Sequence, residues 1–278
     1  MTNKYATLTD YKAYSTARGQ TASTDATDDA VITSLLTQAS RYLDRETKRQ
    51  YFPSVETRLY DIPYDRDLIL DGDLLEVTTF TNGDALTISS TNYLLKGNRP
   101  PYWCISLRDI STVSWTTSSD GSAEQVLSLA GVWGYHNDYS ARGWLQVGTL
   151  GAAITDTTTL AFTASAGHSI VVGQILKAES ELYNVSTVST NTITPVKRGD
   201  NGSTAATHSN GTAVYAWQPM DEVKQYTLEI ANTAYMRRFG KNTGETATVT
   251  GAGVVLSPRD IPALAQSFIN DMRRRVWR

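Results

Sequence analysis

Cysteine is almost absent from this chain: Cys104 is the only one in 278 residues. A single cysteine excludes an internal disulfide and a cysteine-based zinc site, and it fits synthesis in a reducing compartment. Histidine is nearly as scarce. His136, His168 and His208 stand far apart in turn-like contexts, with no partner at metal-ligand spacing, so ordinary turn or surface histidines are expected. No apolar run approaches the roughly 20 residues of a membrane-spanning helix, so no membrane partner is expected. The first residues carry neither the basic nor the apolar stretch of a secretory signal. Positive charge is not in excess either. The 25 Lys and Arg against 28 Asp and Glu leave a net charge of −3, which argues against a chain that coats nucleic acid by neutralising phosphates. Phenylalanine, at 5, is outnumbered by 15 Tyr and 6 Trp, a bias common where β-structure presents polar-tipped aromatic contacts.

The motifs of enzymes are missing as well. There is no Gly-x-Ser-x-Gly elbow and no phosphate-cradling loop. Asp65-Arg66-Asp67 and Asp71-Gly72-Asp73 resemble fragments of a calcium loop but lack its ligand spacing and its closing Glu, and so read as turns. Glu179 and Glu181 fit one polar strand face, and nothing marks them as an acid–base couple. Arg198-Gly199-Asp200 matches a cell-adhesion tripeptide, but a Gly-Asp-Asn-Gly turn accounts for it. No catalytic activity, cofactor or metal is expected.

What is present is a strong helix near the start. From Thr27 to Gln50, apolar residues at Ile32, Leu35, Leu36, Ala39, Tyr42 and Leu43 form a 3.6-residue stripe able to bury one face. Thr27 is placed to cap it, and Asp28 and Asp29 sit where the helix dipole favours negative charge. Lys48 and Arg49 sit at the opposite end, and Tyr51-Phe52-Pro53 stops it. A shorter helix is predicted over Thr9–Arg18, ended by Gly19, with a polar linker over 20–26. Helix returns after Gln218-Pro219, running to Arg237-Arg238, and again after Ser257-Pro258, with apolar residues from Ile261 to Met272.

Between the helices lie many short strand-like runs. Thr57–Ile62, Asp67–Leu70, Leu74–Thr81, Ala85–Ile88, Tyr93–Leu95, Trp103–Leu107 and Val126–Trp133 are candidates, with Asn82-Gly83 as a turn. From Gly148 charge thins and Thr, Ser, Gly and Ala dominate. Ile170–Val172, Ile175-Leu176, Leu182–Val185, Thr192–Thr194 and Ala213–Tyr215 are the strand candidates there. The fold class expected is α+β: a helical bundle from the N- and C-terminal helices, with two inserted antiparallel β regions. The corresponding divisions are N-terminal helices over 1–55, a β-domain over 56–147, a small inserted β-module over 148–217, and C-terminal helices with an arm over 218–278.

Three surfaces are candidates for function. The closing run, with Arg273, Arg274, Arg275, Trp277 and Arg278, is either a helix C-terminus complemented by positive charge and solvated or, the reading favoured, a docking arm: cations to pair with acids, and an indole as a buried anchor. The charged side of the first long helix, with Arg41, Arg45, Glu46, Lys48 and Arg49, reads as a face toward a neighbouring subunit or a channel. The densest aromatic patch, with Trp133, Tyr135 and Tyr139, is either a core edge or an interface.

Several stretches, in order, resemble the head-tail connector (adaptor, or head-completion) proteins of long-tailed bacteriophages. They are Tyr5–Tyr14, Asp28-Asp29 with the helix ending Arg45–Phe52, Asp73–Gly83, Tyr93–Leu95, Gly131–Tyr135 and the last two helices. Together they cover roughly 1–147 and 218–278, and their order and spacing carry the likeness. The smallest members of that family are mainly helical, so the two β regions depart from the pattern. The segment Lys197–His208 looks like part of the small β-modules of phage structural proteins. The resemblance implies a virion structural protein assembled in the host cytoplasm and located in the neck, between capsid portal and tail. It implies a dodecamer, a ring of about twelve copies closing by rotation, with the portal above, a tail-completion or neck protein below, and double-stranded DNA passing through without sequence-specific binding. A slightly acidic channel would let phosphate slide past. In the family the C-terminal segment inserts into the portal, which is the role implied for Arg273, Arg274, Arg275, Trp277 and Arg278. The alternative is a binding module whose inserted β-domain recognises a host surface glycan or receptor through exposed Tyr and Trp.

Overall fold

The computed structural model describes residues 3–20, 25–239 and 261–274. Helix α1 (Leu8–Ala17) opens with a reciprocal capping box: the Asp10 N–H donates to Thr7 Oγ1 at 3.1 Å, and the Thr7 N–H donates to Asp10 Oδ2 at 2.8 Å. Helix α2 (Ala26–Thr47) buries Ile32, Leu35, Leu36, Ala39 and Leu43, the predicted stripe. Its cap is Asp25, which accepts from the Thr27 N–H at 2.8 Å; Thr27 lies inside the helix. It ends at Lys48, whose left-handed backbone (φ 56°) turns the chain away.

Strands β1 (Ser54–Tyr60), β2 (Asp67–Thr81), β3 (Tyr93–Lys96), β4 (Tyr102–Leu107) and β5 (Leu127–Trp133) form a first antiparallel sheet in the order β1-β5-β2-β4-β3. The two strand candidates at 67–70 and 74–81 are one 15-residue strand, β2. Its pairing with β4 shifts register between Ile69 and Leu74, leaving a bulge at Leu70-Asp71-Gly72-Asp73. Ala85–Ile88 contributes only a bridge between Thr81 and Thr87, where the chain folds back after Asn82. After the one-turn helix α3 (Tyr139–Arg142) come β6 (Trp144–Thr149), β7 (Phe162–Thr163), β8 (Ile175–Ala178), β9 (Glu181–Ser189), β10 (Thr192–Pro195) and β11 (Ala213–Trp217). They form a second antiparallel sheet in the order β6-β11-β8-β9-β10-β7. Helices α4 (Asp221–Phe239) and α5 (Ala263–Met272) follow.

This arrangement overturns the expected helical bundle with β insertions. The chain is mainly two antiparallel sheets, of five and six strands, and is only about 27 % helical. Each sheet has its own core. Leu68, Phe80, Ile105, Leu129 and Trp133 belong to the first, and Leu176, Tyr183, Val185, Ile193 and Ala216 to the second. Helices α1, α2, α4 and α5 share a third core, with Leu35, Leu36, Val223, Ile230 and Ile269 at its centre. The second sheet also begins earlier than the composition shift suggests. Strand β6 starts at Trp144 and pairs with β11, so the expected boundary at 147/148 falls inside a strand. Among the described residues, no helix is long and apolar enough to cross a membrane.

A fourth, small cluster joins the two sheets to the segment after α2, and at its centre is Trp217, the last residue of β11. Its indole is buried beside Leu75, Tyr139 and Ile175, with the Trp144 ring at 5.1 Å and the His136 ring at 5.4 Å. Its Nε1–H donates to the Tyr51 carbonyl at 3.0 Å, tying the second sheet to the segment that leaves α2. A second polar joint lies nearby. The Tyr5 hydroxyl donates to the Asp44 carboxylate on α2 and accepts from the Tyr51 N–H at 2.9 Å. Replacing Trp217 with alanine removes the shared anchor and one buried hydrogen bond. The expected loss is about 3–5 kcal/mol of unfolding free energy, measured by urea denaturation; a loss below about 1 kcal/mol would show that the junction does not depend on this residue.

Candidate functional site

The C-terminal end of α5 is strapped to both the helix layer and the first sheet. A helix leaves its last carbonyls without intrahelical partners. At the end of α2 those of Glu46 and Thr47 are taken by α5's following residues: Arg273 Nε donates to Glu46 O at 3.0 Å, and the Arg274 N–H donates to Thr47 O at 2.8 Å. The Arg274 guanidinium then reaches across to the bulge of β2. It donates to the carbonyls of Asp71 at 2.6 Å, Leu70 at 2.8 Å and Gly72 at 3.1 Å. A bulge frees carbonyls from the strand ladder, and a planar fork of five donors is suited to collecting them. Arg49 completes the strap, donating to Met272 O at 2.8 Å and to Asp73 Oδ1 at 2.6 Å while lying 4.3 Å over the Tyr135 ring. The Asp71-Gly72-Asp73 stretch, read as a turn, is thus a bulge gripped by arginines. Arg58 and Tyr60 hold Asp71 from the other side, at 3.0 and 2.6 Å.

Beside this strap opens a groove of about 970 Å³, lined by Ile69, Pro101, Trp103, Tyr135, Asp271, Arg273 and Arg274 among others. Two of its apolar walls face solvent, Ile69 at 48 % and Trp103 at 47 % exposure. Of the predicted docking arm, Arg273 and Arg274 are these strap residues. Arg275, Trp277 and Arg278 lie outside the described residues.

The predicted charged face of α2 does not form one surface. Arg41 turns inward, donating to Asn3 O at 3.0 Å, pairing with Asp44 at 3.1 Å and stacking over Tyr5 and Phe52. Arg49 is in the strap. Glu46 pairs with Arg45 and faces Arg273. Arg45 and Lys48 remain on the outside. The aromatic patch is core: Trp133 and Tyr139 are buried, and Tyr135 is half-buried against Tyr51. Trp133 carries the Arg58 guanidinium 3.9 Å over its ring, and the Tyr139 hydroxyl donates to Glu76 at 2.5 Å.

The second sheet holds a buried charge cluster that sequence reasoning missed. Glu181, expected on a polar strand face, is fully buried. It accepts from Arg198 Nε and Nη2 at 2.8 and 2.9 Å, from the Gly199 and Ala206 N–H groups at 2.8 and 2.9 Å, and faces His208 Nε2 at 3.0 Å. His208 Nδ1 lies 2.8 Å from Glu179, so only a ring protonated on both nitrogens donates to both carboxylates. Of the three histidines expected in turns or on the surface, His168 sits in a turn, whereas His136 and His208 are buried. Hydrogen bonds from Arg198 and the two backbone amides outweigh the cost of burial and hold the Glu181 carboxyl down at about 2. The adhesion-like tripeptide is therefore internal, with Arg198 on Glu181 and Asp200 buried against Asn184 at 2.8 Å.

The loop that carries it is also a joint. Asn201 O accepts from the Val55 N–H of β1 at 2.8 Å, and Asn201 Oδ1 accepts from Asn3 at 2.9 Å. A Cβ at Gly202 would lie 2.1 Å from Val55 O, and its φ is +79°, so glycine is required there. The only sequence signal for this joint was the turn chemistry of Asp-Asn-Gly, which says nothing of burial.

No family model, no curated protein and no solved structure matches this chain. Among the described residues, no group of three or more His, Cys, Asp or Glu side chains is arranged to hold a metal ion.

Removing Glu181 strands Arg198 in the interior. Glu181→Ala is expected to cost about 3–5 kcal/mol. Because the folded pKa is depressed from 4.5 to about 2, the carboxylate's contribution is complete above pH 4.5 and is lost as pH falls through about 2. Urea denaturation across that range should show stability falling with acid in the wild type, with a shallower slope in Glu181→Gln; equal slopes would refute this role for the carboxylate.

Proposed function

We propose that the protein is a virion structural protein, a ring-forming head-tail connector between the capsid portal and the tail. The observation that carries this reading is the strap. The segment 275–278 continues from a point fixed on both the helix layer and the first sheet, a rigid base from which a short arm can dock on a partner. The sequence likeness to connectors and the absence of any catalytic motif agree with it. In this reading the portal takes the arm, neighbouring copies pack side by side, and a slightly acidic ring lets DNA pass.

The host-binding alternative has less to stand on. It needs exposed aromatic residues in the second sheet, where Tyr183 and Trp217 are buried and Tyr215 lies half-buried beside Lys177.

The arm is tested with a chain cut after Arg274. A cut after Met272 would also remove the strap and confuse docking with folding. Native mass measurement with the cognate portal should show the full chain bound as a ring and the shortened chain unbound, with its thermal stability retained; unchanged portal binding would sink the arm. To test the second sheet, residues 151–211 are replaced by a two-residue turn. This keeps β6 paired with β11 but removes β8 and the Ile175 contact of Trp217, so unchanged cooperative unfolding of the remaining chain is required before assembly is scored. Loss of neck assembly would make the module part of the connector, whereas assembly with failed adsorption would favour host recognition.

A further inference from the structure

The groove beside the strap has an occupant within the chain's own reach. Arg273 and Arg274 are both among its lining residues, so the backbone arrives at its rim with its position already set by Thr47 and the β2 bulge. The residues that follow are Arg275-Val276-Trp277-Arg278. From Arg274 to Trp277 is three residues, about 10 Å of extended backbone, before the indole is counted.

The chemistry on the two sides is complementary. The groove offers Ile69, Pro101 and Trp103 as apolar walls, two of them about half exposed. Its charged lining is Arg49 paired with Asp73, Arg273 held by Glu46, Arg274 held by backbone carbonyls, and Asp271, which is exposed on α5. The segment offers an aromatic and a β-branched side chain flanked by two guanidinium groups. A volume of about 970 Å³ accommodates an indole and its neighbours with room to spare.

We infer that in the isolated chain this groove takes the chain's own Trp277, with Asp271 facing the flanking arginines. The strap makes the docking local. With Arg274 fixed, binding the next three residues is intramolecular, and the short tether gives an effective concentration far above that of any free partner. The inference concerns the free chain and holds whether or not the segment meets a portal. If it does, the groove and the portal compete for the same indole, and the arm is withheld until a partner outbids the groove.

The test uses the full chain without any partner. Trp277 is replaced by p-benzoylphenylalanine in an equal mixture of isotopically light and heavy copies, irradiated, and digested for mass spectrometry. Adducts joining position 277 to Ile69, Pro101 or Trp103 within one copy are expected. Light–heavy adducts at those positions would overturn the inference in favour of a second copy as occupant, and adducts elsewhere or none would overturn it outright. Independently, hydroxyl-radical labelling of Trp103 should be several-fold faster in the chain cut after Arg274 and in Asp271→Lys than in the full chain. Equal labelling in all three would also refute it. Unchanged labelling of buried Trp133 serves as the check that each variant is folded.

Discussion

Burial of Trp217 is the constraint on which the rest of the molecule depends. Its ring is packed by Leu75 of the first sheet, Ile175 of the second, Tyr139 and the Phe52 that also packs on the helix core, and its single polar atom is spent on Tyr51 O, just past the end of α2. An indole has one donor and no acceptor, so this placement satisfies it completely without water. The position also sets the topology. Trp217 ends β11 immediately before α4, so the second sheet hands the chain back to the helix layer at the point where the first sheet, the second sheet and α2 meet.

Around that anchor, arginine supplies the joints. Arg41 binds the N-terminal segment to α2, Arg49 and Arg274 bind α5 to the bulge, and Arg198 closes the loop of the second sheet. Several of these contacts are to backbone carbonyls, which carry no charge of their own, so the guanidinium gains direction and multiple bonds without the full cost of desolvating a second ion. The Glu181–Arg198 pair is the exception. There both charges leave water, and two backbone amides with His208 complete the carboxylate's partners. Four of the chain's 25 Lys and Arg residues are thus committed to these joints.

Helices α2 and α5 were legible because each carries a periodic apolar stripe, and α1 and α4 because of the end signals around them. The α2 stripe is buried as read except at Tyr42, which is half-buried, while the cap moved from Thr27 to Asp25 and the end from Gln50 to Thr47. Most strands of the first sheet were also visible as short runs between turns. Their sum was not: many weak signals outweigh a few strong ones in length, which is why the expected bundle is two sheets with a helix layer. Strand β6 was hidden because Trp144–Thr149 lies across a change in composition, and β7 because two residues give no period. Charged residues misled most. A sequence shows that Glu181, Arg41 or Arg274 can ionise, but not which carbonyl or amide waits across 18 to 204 positions of chain. The strap and the buried cluster depend on those long-range meetings.

The three-carbonyl grip of Arg274 also has a mechanical meaning. Strand β2 is the middle strand of the first sheet, hydrogen-bonded to β5 on one side and β4 on the other. A pull applied beyond Arg274 would pass through its guanidinium into the bulge of that central strand and spread along two ladders. It would largely bypass α5, whose short helix would otherwise peel from the layer one turn at a time. The molecule therefore has a load path from its last described residue to the central strand of its first sheet.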